Sequence, residues 1–453
     1  MTPSSKSDAS RPRGWSSRFV FLMAAIGAAV GLGNLWRFPF QTGENGGAAF
    51  VVLYLLCIVF IGFPVLLGEL AIGRAAPGSA IRSIRGLAAQ SGASSLWSIG
   101  GWIGASASIL VLPIYSIIAG KIMAYSAMAF AGLLTTETTT QPALYGGSTA
   151  AVIWTTAFLG ATVFIVSRGL KNGVEAAVSL LMPMFFLLLA GLSIASLIIG
   201  DAGAAAAYLF NPRWADVTAA TVLAALGQAL FSLAVGGAVM IAYGALLPDD
   251  ERLPGAAAII ALSDTLVALI AGLMIFPIVF AHALDPAAGM GLIFEALPPV
   301  FLSLPAGQLI GGLFFTLAFV AALTSSISML LMSSRIGEDA FSVSRSAAIA
   351  LFGGGAFIVG IASTLNHDLS EIIDFAVSGV LLPLGALSSA LIAGWVAPRA
   401  VMRAQTHGMT ENAFLLWRFL LRYAAPTAIA AIFVFGIDET FQFGLAQALS
   451  RLG

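Results

Sequence analysis

Two stretches of the chain place glycines and polar residues in the middle of apolar segments, where they could bind ions or small molecules. VGLGN at residues 30–34 interrupts the first apolar segment, and LFSLAVGGAVM at residues 230–240 interrupts the sixth. Lipid offers no hydrogen-bond partners, so an unwound backbone is tolerated at mid-membrane only where it lines a cavity or is buried in protein. For either stretch alone, close packing of helices around the glycines is the alternative.

Each interruption frees carbonyls at the end of one half-helix and amides at the start of the next, which are ligands for a cation and an anion side by side. An amino-acid zwitterion needs both kinds of ligand. We expect its carboxylate on the amides of Leu32 and Gly33. Its ammonium would take carbonyls near Ala29, Phe231 and Ser232, and a sodium ion would use the remaining oxygens.

The elements that position these stretches are membrane helices. Of the 453 residues, 59% are hydrophobic and 9% are charged, which is typical of an all-α polytopic membrane protein. A spanning helix needs about 20 apolar residues. Eleven segments of the sequence meet this need, at residues 18–40, 47–72, 98–130, 149–167, 174–199, 217–246, 255–283, 306–336, 345–364, 370–398 and 414–436.

The two interruptions are five spans apart, which predicts a five-plus-five inverted repeat with broken helices 1 and 6 and an additional eleventh helix. The predicted organisation has four parts: a cytoplasmic N-terminal tail at 1–17, a transport domain at 18–398, a cytoplasmic loop with helix 11 at 399–436, and a short external tail at 437–453. Most lysines and arginines then fall on the cytoplasmic side, which places the N-terminus inside and the C-terminus outside.

Other functional classes find little support. The net charge is −1, so no nucleic-acid surface is expected, and the single cysteine, Cys57, excludes an internal disulfide. Hydrolase and metalloprotease motifs and a phosphate-binding loop are missing from the sequence, so we expect neither an enzyme nor an organic cofactor. Energy for uphill transport would come from an ion gradient.

Three segments carry a resemblance to a known family. GWSSRFVFLMAAIGAAVGLGNLWRFPFQTGENGGAAF (14–50), QALFSLAVGGAVMIAYGA (228–245) and FVAALTSSISM (319–329) resemble the neurotransmitter:sodium symporters. The chain looks like a bacterial member, similar to the eleven-helix amino-acid symporters of the LeuT-type fold. This implies a multi-pass protein of the bacterial inner membrane, surrounded by lipid, monomeric or weakly oligomeric, that takes a small amino-acid substrate.

The resemblance also implies two sodium sites. One, shared with the substrate carboxylate, would use Ala29, Asn34, Ser232 and Asp264. Many relatives have asparagine in place of Asp264, and a fixed carboxylate there predicts independence from chloride. As alternatives, Asp264 lies one residue out of register and caps a helix, or it accepts a proton. The second site would use Gly27, Val30, Ala321, Thr324 and Ser325.

Hydroxyls such as those of Thr324 and Ser325 also bond back to their own helix in many membrane proteins, which is the alternative for that pair. For the substrate, the resemblance implies that Tyr115 meets the carboxylate and that Phe231 forms a lid. Lys121 replaces a tryptophan common in relatives. The implied pocket contains Ala28, Val111, Phe231, Ala234, Gly237, Ser325 and Met329.

Gly237 stands where relatives that take small aliphatic substrates often have a bulky residue. The missing side chain leaves room, which favours bulky aliphatic or aromatic amino acids. Met329 or a tilted Phe231 would fill the same space in the alternative arrangement.

Charged and aromatic residues outside the pocket match the family's two gates. Arg37 and Asp374 would form the outer pair, with Gln41 nearby. At the inner gate, Trp15 and either Arg11 or Arg13 would latch the first half-helix. Their implied partners are Asp339 and the base of the sixth helix near Tyr243. The two arginines also fit a simple topological role, because a basic N-terminus orients the chain.

The sequence thus predicts a sodium-coupled symporter of hydrophobic L-amino acids that works by alternating access with two sodium ions. A proton-driven transporter or exchanger is one alternative, and a non-pumping amino-acid-gated channel or sensor is another.

Overall fold

The computed structural model describes residues 14–135, 148–248, 251–289 and 291–441, and all regular secondary structure in these ranges is helical. The helices used below are α1 (Arg18–Ala29), α2 (Gly33–Glu44), α3 (Ala48–Ala75), α4 (Ala80–Gln90), α5 (Ser95–Phe130), α6 (Ser148–Ser167), α7 (Leu170–Ile199), α8 (Ala202–Phe210), α9 (Ala219–Ser232), α10 (Val239–Gly244), α11 (Leu253–Ala281), α12 (Leu292–Ser303), α13 (Gly307–Ala340), α14 (Arg345–Leu365), α15 (His367–Val396), α16 (Arg399–Gln405) and α17 (Glu411–Phe435).

Nine helices of the described residues are long and apolar enough to cross a membrane: α3, α5, α6, α7, α11, α13, α14, α15 and α17. The pair α1 and α2, bent by 50° at its break, makes a tenth. The sixth predicted span differs from the other ten, because it consists of the short helices α9 and α10, neither of which spans a membrane alone.

The first break is created by three residues, 30–32, between two helical segments. Ser17 caps the start of α1, and Val30 leaves helical geometry with ψ of 115°. The chain becomes helical again at Gly33 through a π-helical turn that runs to Arg37. The Asn34 side-chain oxygen accepts a hydrogen bond from the Gly31 amide at 3.0 Å, so one amide freed by the break is satisfied locally.

The second break joins α9 to α10 through a left-handed backbone. Ala234, Gly236 and Ala238 have φ angles of 52°, 87° and 61°. A Cβ on Gly236 would lie 2.2 Å from the Leu382 carbonyl oxygen of α15, so only glycine fits there. Glu69 of α3 accepts a hydrogen bond from the Gly236 amide at 2.8 Å. Both neighbouring helices therefore hold this break in place.

The core lies around α13, the most buried of the spanning helices, which packs against α5 and α1. The outer helices carry large apolar side chains away from the bundle, and Leu187 and Ile198 of α7 are 76% and 78% exposed. Such surfaces are stable in lipid. Below, the N-terminal face is the side where α1 begins and the opposite face is the side where α2 ends.

Candidate functional site

The two breaks face one cavity in the centre of the bundle. Its volume is about 70 Å³. It is lined by Ala28, Ala29, Gly31, Leu32 and Gly33 at the first break, Ser108, Val111 and Tyr115 of α5, Phe231, Ala234, Val235, Gly237 and Val239 at the second, Ser325, Ser328 and Met329 of α13, and Leu382 of α15. All the predicted substrate-binding residues therefore line this cavity except Ser232.

One end of the cavity has the groups expected for a carboxylate. The Leu32 amide donates a hydrogen bond to the Tyr115 hydroxyl at 3.3 Å, which leaves the tyrosine's own proton for another acceptor. A Cβ on Gly31 would lie 2.9 Å from the Ser325 hydroxyl and 3.0 Å from that of Tyr115. The backbone of the first break thus approaches both hydroxyls as closely as only glycine allows.

Asn34, Ser232 and Asp264 form a buried polar cluster beside this end. The Asp264 carboxylate accepts hydrogen bonds from the Asn34 amide nitrogen at 2.8 Å and from the Ser232 hydroxyl at 2.6 Å. All three residues are at most 1% exposed. Ser232 therefore bonds to α11 instead of lining the cavity. The register of α11 directs Asp264 toward the first break.

The orientation of the Asn34 amide differs from the prediction. Its nitrogen faces Asp264, and its oxygen accepts from the Gly31 amide. The sequence interpretation uses the oxygen as a sodium ligand, which requires the amide to rotate by half a turn. In the structure the amide nitrogen instead donates to the Asp264 carboxylate, as the Ser232 hydroxyl also does.

A second group of oxygens surrounds Ser325. Its hydroxyl lies 3.3 Å from the Gly27 carbonyl, 3.3 Å from that of Val30 and 3.2 Å from that of Ala321. Thr324 bonds to its own helix, with its hydroxyl 3.1 Å from the Ala321 carbonyl. The back-bonding alternative therefore describes Thr324, whereas Ser325 also reaches across to α1.

The opposite face opens above Phe231. Arg37 and Gln41 line a cavity of about 1320 Å³ on this side, and Phe231 lies between it and the central cavity. The Arg37 guanidinium carbon lies 4.3 Å from the centre of the Phe231 ring. Among the ion pairs of the described residues, none joins Arg37 to Asp374, whose carboxylate accepts instead from Ser378 at 3.5 Å. The predicted outer gate is thus unpaired in this conformation.

The N-terminal face is closed by aromatic packing. The buried Trp15 ring packs edge-on against Tyr243, with centroids 5.1 Å apart. The Tyr243 hydroxyl lies 2.6 Å from that of Ser328, a residue that lines the central cavity. The predicted contact between Trp15 and the base of the sixth helix is therefore present.

Asp339 has partners other than those expected. Its carboxylate accepts from the Ser79 amide and lies 3.5 Å from Arg82. Both partners are in or next to α4, which begins directly after α3. Arg11 and Arg13, the implied latch residues, lie outside the described residues.

Three glutamate or glutamine side chains support the site but were not among the residues predicted from the sequence. Glu69 holds the second break. Gln228 donates to the Gly33 carbonyl at 3.0 Å and so joins the two breaks. Glu175 accepts from the Ser16 amide at 2.9 Å, which anchors the segment that carries Trp15. An ionisable residue inside an apolar span is a functional signal, and that rule could have found Glu69.

The space around Gly237 is only partly free. A Cβ at this position would lie 2.8 Å from the Ser108 hydroxyl and 3.6 Å from a methyl group of Leu382. Ser108 thus occupies part of the volume that the sequence interpretation assigned to a larger substrate, and it was not among the predicted residues.

This geometry can be compared with known proteins. Residues 12–143 and 146–447 match the Sodium:neurotransmitter symporter family. The chain belongs to this family. As a member, it is a multi-pass membrane symporter and not an enzyme.

The chain is similar over nearly its whole length to known transporters of this family. It is 35% identical to the sodium-dependent transporter YhdH of Bacillus subtilis (strain 168), over 94% of this chain and 97% of the relative. It is 30% identical to a sodium-dependent transporter of Haemophilus influenzae, over 93% and 97%. The crystal structure of MhsT in complex with L-phenylalanine is similar, with a TM-score of 0.86 and 38% identity, and the match covers 93% of this chain and 99% of MhsT. The predicted LeuT-type fold is confirmed.

Proposed function

We propose that this protein is a sodium-coupled symporter of hydrophobic L-amino acids with bulky aliphatic or aromatic side chains. The observation that carries the proposal is the Ser325 hydroxyl, which lies within 3.3 Å of three backbone carbonyls at the wall of the central cavity. Carbonyl and hydroxyl oxygens are ligands that suit a small hard cation. The relatives named as sodium-dependent transporters support this choice of ion.

The chemistry of the cavity favours an amino-acid substrate. The amides of Leu32 and Gly33 and the Tyr115 hydroxyl suit a carboxylate, and the carbonyls that end α1 and α9 suit an ammonium group. The remaining wall is largely apolar, with Val111 and Met329 beside the ring of Phe231. The phenylalanine complex of MhsT supports an aromatic substrate for this chain.

We assign two sodium ions to the two oxygen groups. One ion would join the substrate carboxylate to Asp264, so that ion and substrate bind together. The other would lie between α1 and α13 at Ser325. Because Asp264 supplies a fixed negative charge in the site, the proposal requires no chloride.

Alternating access follows from the two unequal barriers around the cavity. On the opposite face the barrier is Phe231, with Arg37 and Asp374 free to pair as the outer gate closes. On the N-terminal face it is the packed pair Trp15 and Tyr243. In the proposed orientation the N-terminal face is cytoplasmic, the membrane is the bacterial inner membrane, and the large cavity opens outward.

The test is uptake of labelled phenylalanine, leucine and alanine into proteoliposomes under an inward sodium gradient. Potassium replaces sodium in one arm, gluconate replaces chloride in a second, and a proton gradient without sodium is applied in a third. We expect accumulation that needs sodium, ignores chloride and favours phenylalanine and leucine over alanine. Accumulation driven by protons without sodium would refute the proposal.

A proton-driven exchanger is the second candidate, because two buried carboxylates, Asp264 and Glu69, lie beside the breaks. In the described structure, one oxygen of Glu69 has no hydrogen-bond partner. The proton arm of the same experiment separates the two candidates.

A further inference from the structure

A polar group lies at the end of the cavity away from Tyr115. The Ser108 hydroxyl donates a hydrogen bond to the Gly237 carbonyl at 2.5 Å, and Ser108 is only 4% exposed. Ser108 and Tyr115 are on the same helix, seven residues apart, which corresponds to about 10 Å along α5. A substrate whose carboxylate is near Tyr115 therefore points its side chain toward Ser108.

The available proton of Ser108 is already used. A carbonyl can only accept, so the hydroxyl proton is directed to Gly237, and the serine oxygen keeps its lone pairs for another donor. Ser328, the next hydroxyl of the cavity wall, is in the same state. It donates to the Thr324 carbonyl at 2.9 Å, so Tyr243 is the donor in its 2.6 Å contact with Ser328. Among the residues that the structure describes, this end of the cavity thus offers acceptors and no free donor.

Glycine at position 237 is what permits this arrangement. A Cβ there would lie 2.8 Å from the Ser108 oxygen and would displace the hydroxyl or the carbonyl it bonds. The polar end of the cavity therefore depends on both Ser108 and Gly237. A larger hydrocarbon side chain at 237 would make that end apolar.

We propose that Ser108 is a specificity-determining residue that accepts a hydrogen bond from the substrate side chain. The preferred substrates are then aromatic amino acids that carry a donor, the phenol of tyrosine or the indole of tryptophan. Phenylalanine is transported less well because it leaves the buried acceptor unmet, and a site built for a hydrogen bond discriminates against analogues that lack it. This inference rests on the proposed amino-acid transport.

The test compares KM values for sodium-driven uptake of tyrosine and phenylalanine. In the wild type we expect KM for phenylalanine to exceed that for tyrosine about tenfold, as one hydrogen bond of about 1.4 kcal/mol gives. In Ser108→Ala the ratio falls to about 1, because KM for tyrosine rises when the acceptor is removed. Ser116→Ala is the matched control, and its ratio should stay as in the wild type. This buried serine of α5 donates to the Leu112 carbonyl of its own helix at 2.6 Å and has no other hydrogen bond among the described residues.

A measurement on the unaltered protein covers the case in which Ser108→Ala does not fold. 4-Fluorophenylalanine is close to tyrosine in shape and has no phenol proton, and we expect it to compete no better than phenylalanine. Two results would overturn the role of Ser108 without touching the proposed function. They are equal KM values for tyrosine and phenylalanine in the wild type, and a ratio that stays unchanged in Ser108→Ala. Absence of sodium-driven uptake for every amino acid would overturn the proposed function instead.

Discussion

Replacing Asp264 with asparagine tests the proposed sodium site most directly, because it removes a charge and keeps the shape of the side chain. Within the described part of the chain, the buried carboxylate accepts hydrogen bonds only from the neutral side chains of Asn34 and Ser232. Two unit charges 4 Å apart attract by about 4 kcal/mol at an effective dielectric constant near 20. An amide oxygen retains part of this attraction. We therefore expect sodium binding to weaken by about 2–3 kcal/mol, which is roughly 30- to 140-fold.

The assay is sodium activation of phenylalanine uptake at a fixed membrane potential, in chloride and in gluconate. For Asp264→Asn in gluconate we expect the half-saturating sodium concentration to rise roughly 30- to 140-fold. Chloride should restore part of the loss, because a bound anion supplies the missing charge. The wild type should show the same sodium curve in both salts, and so should the control Glu371→Gln, which alters an exposed carboxylate of α15.

The same substitution should affect stability in the opposite direction. A buried charge without a charged partner costs free energy, so in sodium-free detergent Asp264→Asn should melt no lower than the wild type. A sodium curve within threefold of the wild type, or a chloride requirement in the wild type, would refute the assignment of Asp264.

Three further changes test other parts of the structure. Ser325→Ala removes the hydroxyl shared by three carbonyls, and we expect at least tenfold weaker sodium activation with a Hill coefficient near 1, measured by sodium titration of uptake. Gly236→Ala adds a Cβ 2.2 Å from a carbonyl oxygen at a φ of 87°, so we expect thermal unfolding to show a loss of about 3 kcal/mol or more in stability. The control Gly354→Ala, which has open space around it, should have almost no effect. Lys121→Gln removes an ammonium 4.2 Å from the centre of the Phe294 ring, and a loss of about 1 kcal/mol should speed hydrogen exchange in α12 about fivefold.

Each of these expectations has a result that contradicts it. An unchanged Hill coefficient in Ser325→Ala would remove the second sodium ion from the proposal. Equal melting temperatures for Gly236→Ala and Gly354→Ala would mean that α15 does not constrain the break. Unchanged exchange in α12 would leave Lys121 without a role in holding that helix.

The fold could be predicted because membrane helices are encoded locally. Length and hydropathy alone indicate the spanning segments, and glycines beside polar residues at 30–34 and 230–240 mark both breaks. The sixth span was harder, because its two short helices pass as one continuous apolar run in the sequence. Only the left-handed backbone at Ala234, Gly236 and Ala238 shows how completely it is interrupted.

The partners of the site residues could be predicted less well, because they depend on contacts between distant parts of the chain. The family resemblance implied Asp374 as the partner of Arg37, yet whether two charges touch depends on the conformation. Ser108 and Gln228 carry no local signal, since a serine or glutamine in an apolar span is also common as a packing residue. Their roles emerge only when Gly237 and Gly33, more than a hundred residues away, are brought against them.

The left-handed alanines of the second break have a consequence for how the protein assembles in the membrane. Residues 219–244 are long enough to cross the bilayer, and a lone unwound segment in lipid would leave backbone groups unsatisfied at several kcal/mol each. Other helices stabilise the break. Glu69 of α3 accepts a hydrogen bond from the Gly236 amide, and Ser108 of α5 donates one to the Gly237 carbonyl. We therefore expect the sixth segment to insert as a continuous helix and to unwind as α3, α5 and α15 pack around it. The binding site would then be among the last parts of the protein to form.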